Sequence, residues 1–127
     1  MHFRGILELL SNLLGFYNMI TAQQILDAKQ SAVIAGETYL REKLNGVDGW
    51  ACGFAWVEVK VDRTNSKQAL ELIKAGFTKD YKPRTLSMWN PSELHVQNID
   101  SKEAGADAMA SILRGLGLDA WGCSRLD

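Results

Sequence analysis

Residues Gly49–Val61 read GWACGFAWVEVKV, and their side chains alternate between two kinds. One set is small at first and β-branched later, whereas the other is aromatic at first and charged later. Because successive side chains of a strand point to opposite faces of a sheet, this period of two predicts a strand. Helices can lie close to its small face, while its aromatic face is either core or a stacking surface. We therefore expect a central strand in a sheet that helices cover on one side.

The composition is that of an ordinary globular protein. The chain has 127 residues, a usual size for one domain, with 46% hydrophobic and 23% charged residues. The net charge of −1 argues against a protein that grips nucleic-acid backbones, so we expect no stable DNA or RNA binding. The sequence contains no run of about 20 uncharged apolar residues, so we expect no membrane partner.

The two cysteines, Cys52 and Cys123, both fall in predicted strands and have no zinc-like spacing. Free thiols in a reducing compartment are the simplest interpretation of such a pair. The expected location is therefore cytoplasmic.

The first part of the chain leaves two questions open. Met1–Asn18 is rich in apolar residues and is either a short amphipathic helix that seeks a partner surface or a non-native leader. Thr21 and Gln24 then have the spacing of a capping box, and apolar residues in three-four spacing predict a helix that ends near Leu44. This helix is either a core helix or the surface through which copies pair as a homo-oligomer.

The rest of the chain predicts two further helices and three further strands. Asn65 with Gln68, and Asp100 with Glu103, have capping-box spacing and are expected to begin the helices. The further strands are predicted at residues 84–90, 95–99 and 118–124.

This order predicts an α+β fold in which a long N-terminal helix precedes a β-α-β-β-α-β unit. Such a unit is the ferredoxin-like arrangement, an antiparallel sheet with helices on one face. We divide the chain into an N-terminal helical segment, residues 1–45, and an α+β core domain, residues 46–127. The face that carries Trp50, Phe54 and Trp56 stays open unless the N-terminal helix or another subunit covers it, and an open aromatic patch marks a binding surface.

No catalytic, metal or cofactor site is predicted. His2 and His95 are far apart in the sequence and stand in no metal-ligand spacing. No glycine-rich phosphate loop follows a strand, and no Ser-His-Asp or Cys-His set is suggested.

Residues that suit an anion are better represented, mainly in the second half of the chain. The start of the helix at Asp100 offers free backbone N–H groups beside Lys102, where a phosphate can bind. Arg63, Arg114 and Arg125 each end an element, and the planar guanidinium group donates two parallel hydrogen bonds to a phosphate. Each has a simpler interpretation as well, since Arg114 complements the helix dipole and the other two suit solvated loops.

Aromatic and amide side chains suit a base. Trp89 offers a plane on which a base can stack, although core packing is its simpler role. Gln97 and Asn98 are poor core material and can read the hydrogen-bonding edge of a base. The candidate ligand-binding residues are therefore Arg63, Trp89, Asn98, Lys102, Arg114 and Arg125.

Four stretches resemble a family of small proteins in tailed-phage and prophage genomes. They are Gly53–Val57, Trp89–Pro91, Gln97–Ala106 and Ser124–Asp127. The resemblance covers roughly residues 49–127, and Met1–Asn18 has no counterpart in it.

The layout is also similar to that of the Thoeris anti-defence sponge proteins of phages, in which long N-terminal helices precede an α+β core. That family binds cyclic ADP-ribose-type signals, and in some members cyclic oligonucleotides, without degrading them. Its arginines hold the phosphates, while an aromatic residue and an asparagine hold the base. The resemblance implies such roles for Arg63, Trp89, Asn98 and Arg114, in the cytoplasm of a bacterial host.

The leading hypothesis is a non-enzymatic phage protein that sequesters a cyclic nucleotide signal of bacterial immunity. A second hypothesis is a protein–protein inhibitor of a host defence enzyme, acting through the N-terminal helix or the aromatic face. A third is a small nucleotide-processing enzyme in which Asp119 or Asp127 acts.

Overall fold

The computed structural model describes residues 19–127, and the predictions made for Met1–Asn18 lie outside these residues. Within the described part, the chain is an α+β protein with a four-stranded antiparallel sheet, which confirms the predicted class. The elements in chain order are α1 (Ala22–Leu44), β1 (Gly53–Lys60), α2 (Lys67–Lys74), β2 (Thr78–Lys79), β3 (Thr85–Trp89), α3 (Ile99–Gly115) and β4 (Asp119–Leu126).

The sheet has the strand order β2-β3-β1-β4, so β1 is a central strand. Its register places Trp56 opposite Trp89 on β3 and opposite Cys123 on β4. The alternation read from the sequence holds in space, because Ala55, Val57 and Val59 are buried while the side chains between them are half-buried or exposed.

The helices of the described range lie on the side of the sheet to which the small face of β1 points. α3 lies directly on β1 and β4, and α1 lies against α3 rather than on the sheet. Ile25, Ala28 and Ala32 of α1 belong to the same hydrophobic core as Val57 and Val59. The N-terminal helix therefore shares its core with the α+β part of the chain.

The two ends of α1 are fixed by polar side chains. Thr21 caps its first turn, and both hydrogen bonds of a capping box with Gln24 are present. At the other end Asn45 adopts a left-handed conformation with φ 54°, which asparagine tolerates better than most residues. Gln68 and Glu71 of α2 also bond the backbone of Ile20 and Ala22, which ties α2 to the start of α1.

The predicted strand at residues 95–99 is wrong. The backbone N–H groups of Gln97 and Asn98 donate to the Asp48 carboxylate at 2.9 and 3.1 Å, so a side chain takes the donors that a sheet ladder needs. Only a single bridge, between Cys52 and Asn98, joins this segment to the strand side. The missing strand is instead the two-residue β2, a short polar edge strand of the kind that protects a sheet from further pairing.

Two helix starts differ from the predicted caps. Ser66, not Asn65, caps α2 by accepting a hydrogen bond from the Ala69 N–H. Asn98, not Asp100, caps α3 by accepting from the Ser101 N–H. In both cases several neighbouring polar residues are suitable caps, and packing decides among them.

The aromatic face of β1 is open in the described part of the chain. Phe54 and Trp89 are exposed and Trp56 is half-buried, since α1 packs on the opposite side of the sheet. Among residues 19–127, no helix has both the length and the apolar character needed to cross a membrane.

Candidate functional site

Three aromatic rings meet on the open face of the sheet. The Trp56 and Trp89 rings lie directly across the β1–β3 ladder and stack with centroids 4.7 Å apart and planes 22° apart. The Phe54 and Trp89 rings form an edge-to-face pair, with centroids 6.3 Å apart and planes 70° apart. Both arrangements are favourable for aromatic pairs, so the cluster is a preformed platform.

A guanidinium group lies beside this platform. Arg125 is the β4 partner of Phe54, and both side chains point to the open face. Its Cζ lies 5.5 Å from the centroid of the Phe54 ring and 5.8 Å from that of Trp89, which is within cation–π range. Arg125 makes no ion pair with a described residue, so its hydrogen-bond donors remain available.

An ion pair anchors the side of the platform that faces β2. Trp56 Nε1 donates to Glu58 at 2.8 Å, and Lys82 Nζ donates to the same carboxylate at 3.0 and 3.1 Å. Burial alone would raise the pKa of Glu58, but the hydrogen bonds from Trp56 and Lys82 outweigh burial and lower this pKa. The same hydrogen bond raises the pKa of Lys82. Glu58 thus stays ionised and holds the indole ring and the segment after β2 together.

Between the platform and this segment lies a groove of about 460 Å³. Its floor includes the stacked tryptophans, and cationic side chains stand around its rim. The residues that line it are Trp56, Glu58, Thr78, Lys79, Asp80, Tyr81, Lys82, Ser87, Trp89 and Arg125. Tyr81 is 91% exposed, so its ring is free to close over a ligand.

Cys123 faces the same carboxylate but is a poor nucleophile. Burial and the neighbouring Glu58 raise the pKa of its thiol to about 11. The thiol is therefore protonated at neutral pH, whereas the thiolate is the reactive form of cysteine.

The structure brings two of the six predicted site residues, Trp89 and Arg125, into this groove. Lys102 does not line the groove but a separate cavity of about 200 Å³ beside Phe54. Lys102 is buried, with a relative exposure of 9%. Its Nζ donates to the Gly53 carbonyl at 3.0 Å and lies 5.5 Å from the centroid of the Phe54 ring. Lys102 thus supports the platform and adds positive charge behind it.

Asn98 and Arg114 make specific contacts elsewhere. Asn98 is fully buried; its amide donates to the Gly49 carbonyl at 2.8 Å and accepts from the Ser101 N–H at 2.8 Å. Arg114 donates to the Ala120 carbonyl at 2.9 Å. Both amide ends of Asn98 are therefore used within the protein.

Arg63 lies at the far end of β1 from Arg125. It is exposed in the loop after Lys60, whereas Arg125 pairs with Phe54 near the start of the strand. Six residues of strand separate these two ends, which is about 20 Å. The structure therefore does not bring Arg63 and Arg125 together.

The sequence did not predict the part of the groove that the segment after β2 lines. Lys79, Tyr81 and Lys82 lie just before the strand predicted at residues 84–90, in a stretch for which the sequence predicted neither an element nor a site residue. An exposed tyrosine between two lysines, next to a proline and an arginine, was the available signal. The antiparallel β2–β3 pairing brings this stretch to the site, and the two-residue strand β2 is too short to recognise from periodicity.

The candidate catalytic carboxylates lie apart. Asp119 begins β4 and accepts from Trp121 Nε1 at 2.8 Å, while Asp127 follows the other end of that strand. Across residues 19–127, no group of three or more histidine, cysteine, aspartate or glutamate side chains is placed to hold a metal ion.

Comparison of the chain with protein-family models, curated proteins and solved structures found no match.

Proposed function

We propose that the protein binds a nucleotide in the groove between the Trp56–Trp89 pair and the segment after β2. The observation that carries this proposal is an exposed aromatic plane beside a guanidinium group, that of Arg125, which makes no ion pair with a described residue; both line one groove of about 460 Å³. A nucleotide has both chemistries, since its base stacks on aromatic rings and its phosphate binds guanidinium and ammonium groups.

The base is proposed to stack on Trp89. This ring is 51% exposed, and its position is fixed from beneath by Trp56, whose indole N–H is held by Glu58. A platform that is already ordered loses little conformational entropy on binding. Tyr81 at the rim is the side chain best placed to cover the base from the other side.

The phosphate is proposed to bind Arg125. Arg125 lies beside the tryptophan platform and lines the groove, so a phosphate there stays within reach of a base on Trp89. Lys82 contributes less, because its ammonium group is already paired with Glu58.

The biological role proposed for this binding is sequestration of a cyclic ADP-ribose-type immune signal by a phage protein in the host cytoplasm. The resemblance to phage proteins and to the Thoeris anti-defence proteins supports it. We also propose that copies assemble through α1. A separate proposal concerns the fold: the β-α-β-β-α-β order after α1 is a ferredoxin-like arrangement.

The test is retention of ligand by the purified protein. The protein is incubated with cyclic ADP-ribose, ADP-ribose and AMP, freed of unbound ligand, heat-denatured and analysed by mass spectrometry. We expect an intact nucleotide to be released; a converted one would support the enzyme hypothesis instead. If none of the three is retained, the proposal of a nucleotide site fails.

Variants locate the site. We expect Trp89→Ala and Arg125→Ala each to weaken binding of the retained nucleotide by about 1–3 kcal/mol, measured by isothermal titration calorimetry. Arg63→Ala is the matched control, because it removes an exposed arginine at the far end of β1. Equal losses for Arg63→Ala and Arg125→Ala would contradict the assignment to this groove.

A second candidate function, inhibition of a host enzyme by protein–protein contact, is favoured by the exposure of several aromatic rings on one face. Tryptophan, tyrosine and arginine are also the residues that dominate protein interfaces. Recovery of one stoichiometric host protein, lost with Trp89→Ala, would support this function over nucleotide binding.

A further inference from the structure

A second aromatic platform lies on the same face of the sheet, outside the groove. Trp121 of β4 stands opposite Glu58 and is 56% exposed. Its indole N–H donates to Asp119 at 2.8 Å. The Arg114 guanidinium lies 4.7 Å from its ring centroid and is itself fixed by a hydrogen bond to the Ala120 carbonyl. The ring is thus oriented by two neighbours yet remains open to solvent.

The two platforms lie on either side of β1. Trp121 is a diagonal neighbour of Trp56 across the β1–β4 ladder, and such neighbours are about 7–8 Å apart. Trp89 lies on the other side of Trp56, across the β1–β3 ladder. Three adjacent strands therefore each present a tryptophan on one open face.

We propose that this face binds a short single strand of nucleic acid, with one base on Trp89 and another on Trp121. The proposal shares Trp89 with the nucleotide site above and rests on it to that extent, but it also requires Trp121, which does not line the groove. Four-stranded sheets with aromatic side chains on an open face are a recurrent platform for single-stranded RNA, and each such stack tolerates any base.

The spacing selects an unpaired strand. Bases in a duplex are stacked about 3.4 Å apart along each strand, whereas the platforms are at least twice as far apart. Each base must therefore leave its stack to reach a ring. A single strand allows this at little cost, while paired bases would first have to separate.

The charges around the platforms favour a phosphodiester without making the face strongly basic. Arg125 stands beside Trp89, and Arg114 stands on Trp121. Three nearby acidic groups are already engaged, since Glu58 pairs with Lys82, Asp80 accepts from the Lys82 backbone N–H and Asp119 accepts from the indole of Trp121. With about two phosphate contacts, the affinity should fall with salt at a logarithmic slope of only about −1.4. This is how a chain of net charge −1 can bind a single strand, chiefly by stacking.

The experiment measures fluorescence anisotropy of labelled octathymidylate and octauridylate, with thymidine monophosphate and AMP as competitors and an eight-base-pair duplex as a further probe. We expect the single strands to bind at least tenfold more tightly than either mononucleotide and the duplex not to bind. Octathymidylate and octauridylate together show whether DNA or RNA is preferred. Binding that is equal for single strand and duplex would overturn the proposal.

Trp121 variants separate this proposal from the nucleotide site. Trp121→Ala should weaken single-strand binding roughly 5- to 150-fold while leaving the affinity for AMP unchanged, whereas Trp89→Ala should weaken both. Trp121→Phe keeps an aromatic plane and should restore most of the loss. Leu70→Ala, which removes an exposed apolar side chain on α2, is the control and should change neither.

Each remaining outcome is decisive for one proposal. If AMP binds but Trp121→Ala leaves single-strand affinity unchanged, the two-platform proposal fails and the nucleotide site stands. If single strands bind and no mononucleotide does, the two-platform proposal stands and the nucleotide site fails. If neither binds and the wild-type protein self-associates in a way that Trp121→Ala abolishes, the face is an interface between copies, and the single-strand proposal is wrong.

Discussion

Asn98 illustrates how a single residue type supports two incompatible roles. An amide can read a base, but it can equally join two backbone segments, and here it joins the Gly49 carbonyl to the first turn of α3. The neighbouring Asp48 carboxylate receives the N–H groups of residues 97 and 98, so the segments before β1 and before α3 are locked to each other. Removal of the Asn98 side chain would leave the carbonyl of the half-buried Gly49 and a helix N–H without these partners.

We therefore expect Asn98→Ala to destabilise the protein by about 2 kcal/mol, the combined effect of a lost cap and a lost hydrogen bond to a half-buried carbonyl. Urea unfolding measures this as a lower midpoint with an unchanged slope. Asn98→Ser keeps an oxygen for the cap and should lose less. If Asn98→Ala instead has wild-type stability and reduced nucleotide affinity, the role read from the sequence is correct and the structural role is minor.

At the scale of elements, α1 and α3 pack with their backbones unusually close. A Cβ atom at Gly105 would lie 2.6 Å from Ser92 Cβ and 2.9 Å from the Ala32 carbonyl oxygen, and one at Gly36 would lie 2.9 Å from Ser92 Cβ. Both glycines are in helix interiors, where glycine costs up to about 1 kcal/mol relative to alanine. Glycine is needed at both positions because the two helices and the loop of residues 90–94 approach each other too closely for a Cβ atom.

Gly105→Ala should accordingly destabilise the protein by about 1–3 kcal/mol, because overpacking outweighs the gain in helix propensity. Gly115→Ala is the matched control: it lies in the same helix, and a Cβ there meets nothing within 4 Å. Thermal unfolding followed by circular dichroism should show a lower Tm for the first and an equal or higher Tm for the second. Equal effects of the two substitutions would mean that propensity alone governs this helix.

The elements with strong periodicity could be predicted from the sequence, and the short ones could not. β1 alternates over its whole length, and burial of Ala55, Val57 and Val59 follows that alternation directly. The segment 95–99 was misjudged because its backbone donors bind the distant Asp48 side chain, which no local pattern reveals. β2 has two residues and exists only because β3 lies beside it.

At the scale of the whole molecule, the site exists only through the topology of the sheet. Trp56, Trp89 and Arg125 come from three distant segments, and the order β2-β3-β1-β4 makes them neighbours. Residue types alone predicted Trp89 and Arg125 as binding residues. They also predicted Arg63. The residue type is the same as that of Arg125, and only the fold shows that the two arginines lie at opposite ends of β1.

The proposed assembly through α1 concerns the opposite side of the molecule. α1 buries Ile25, Ala28 and Ala32 against the core but leaves Ile34 56% exposed. Ile34 lines a shallow, mainly apolar groove of about 350 Å³ that extends along α1 from Ser31 to Lys43. A helix of this length spans about 35 Å, which is enough for a pairing surface.

If copies pair through this surface, a charge at its centre should oppose association, because burying an unpaired carboxylate is costly. We expect Ile34→Asp to weaken self-association at least tenfold in sedimentation equilibrium, with little change in Tm because Ile34 is outside the core. Leu70→Asp is the control, since Leu70 is an exposed apolar residue of α2 that does not line the groove. Pairing through α1 would be ruled out if the wild-type protein sediments as a monomer. It would also be ruled out if Ile34→Asp leaves an oligomer intact, and the open face of the sheet would then be the next apolar surface to test.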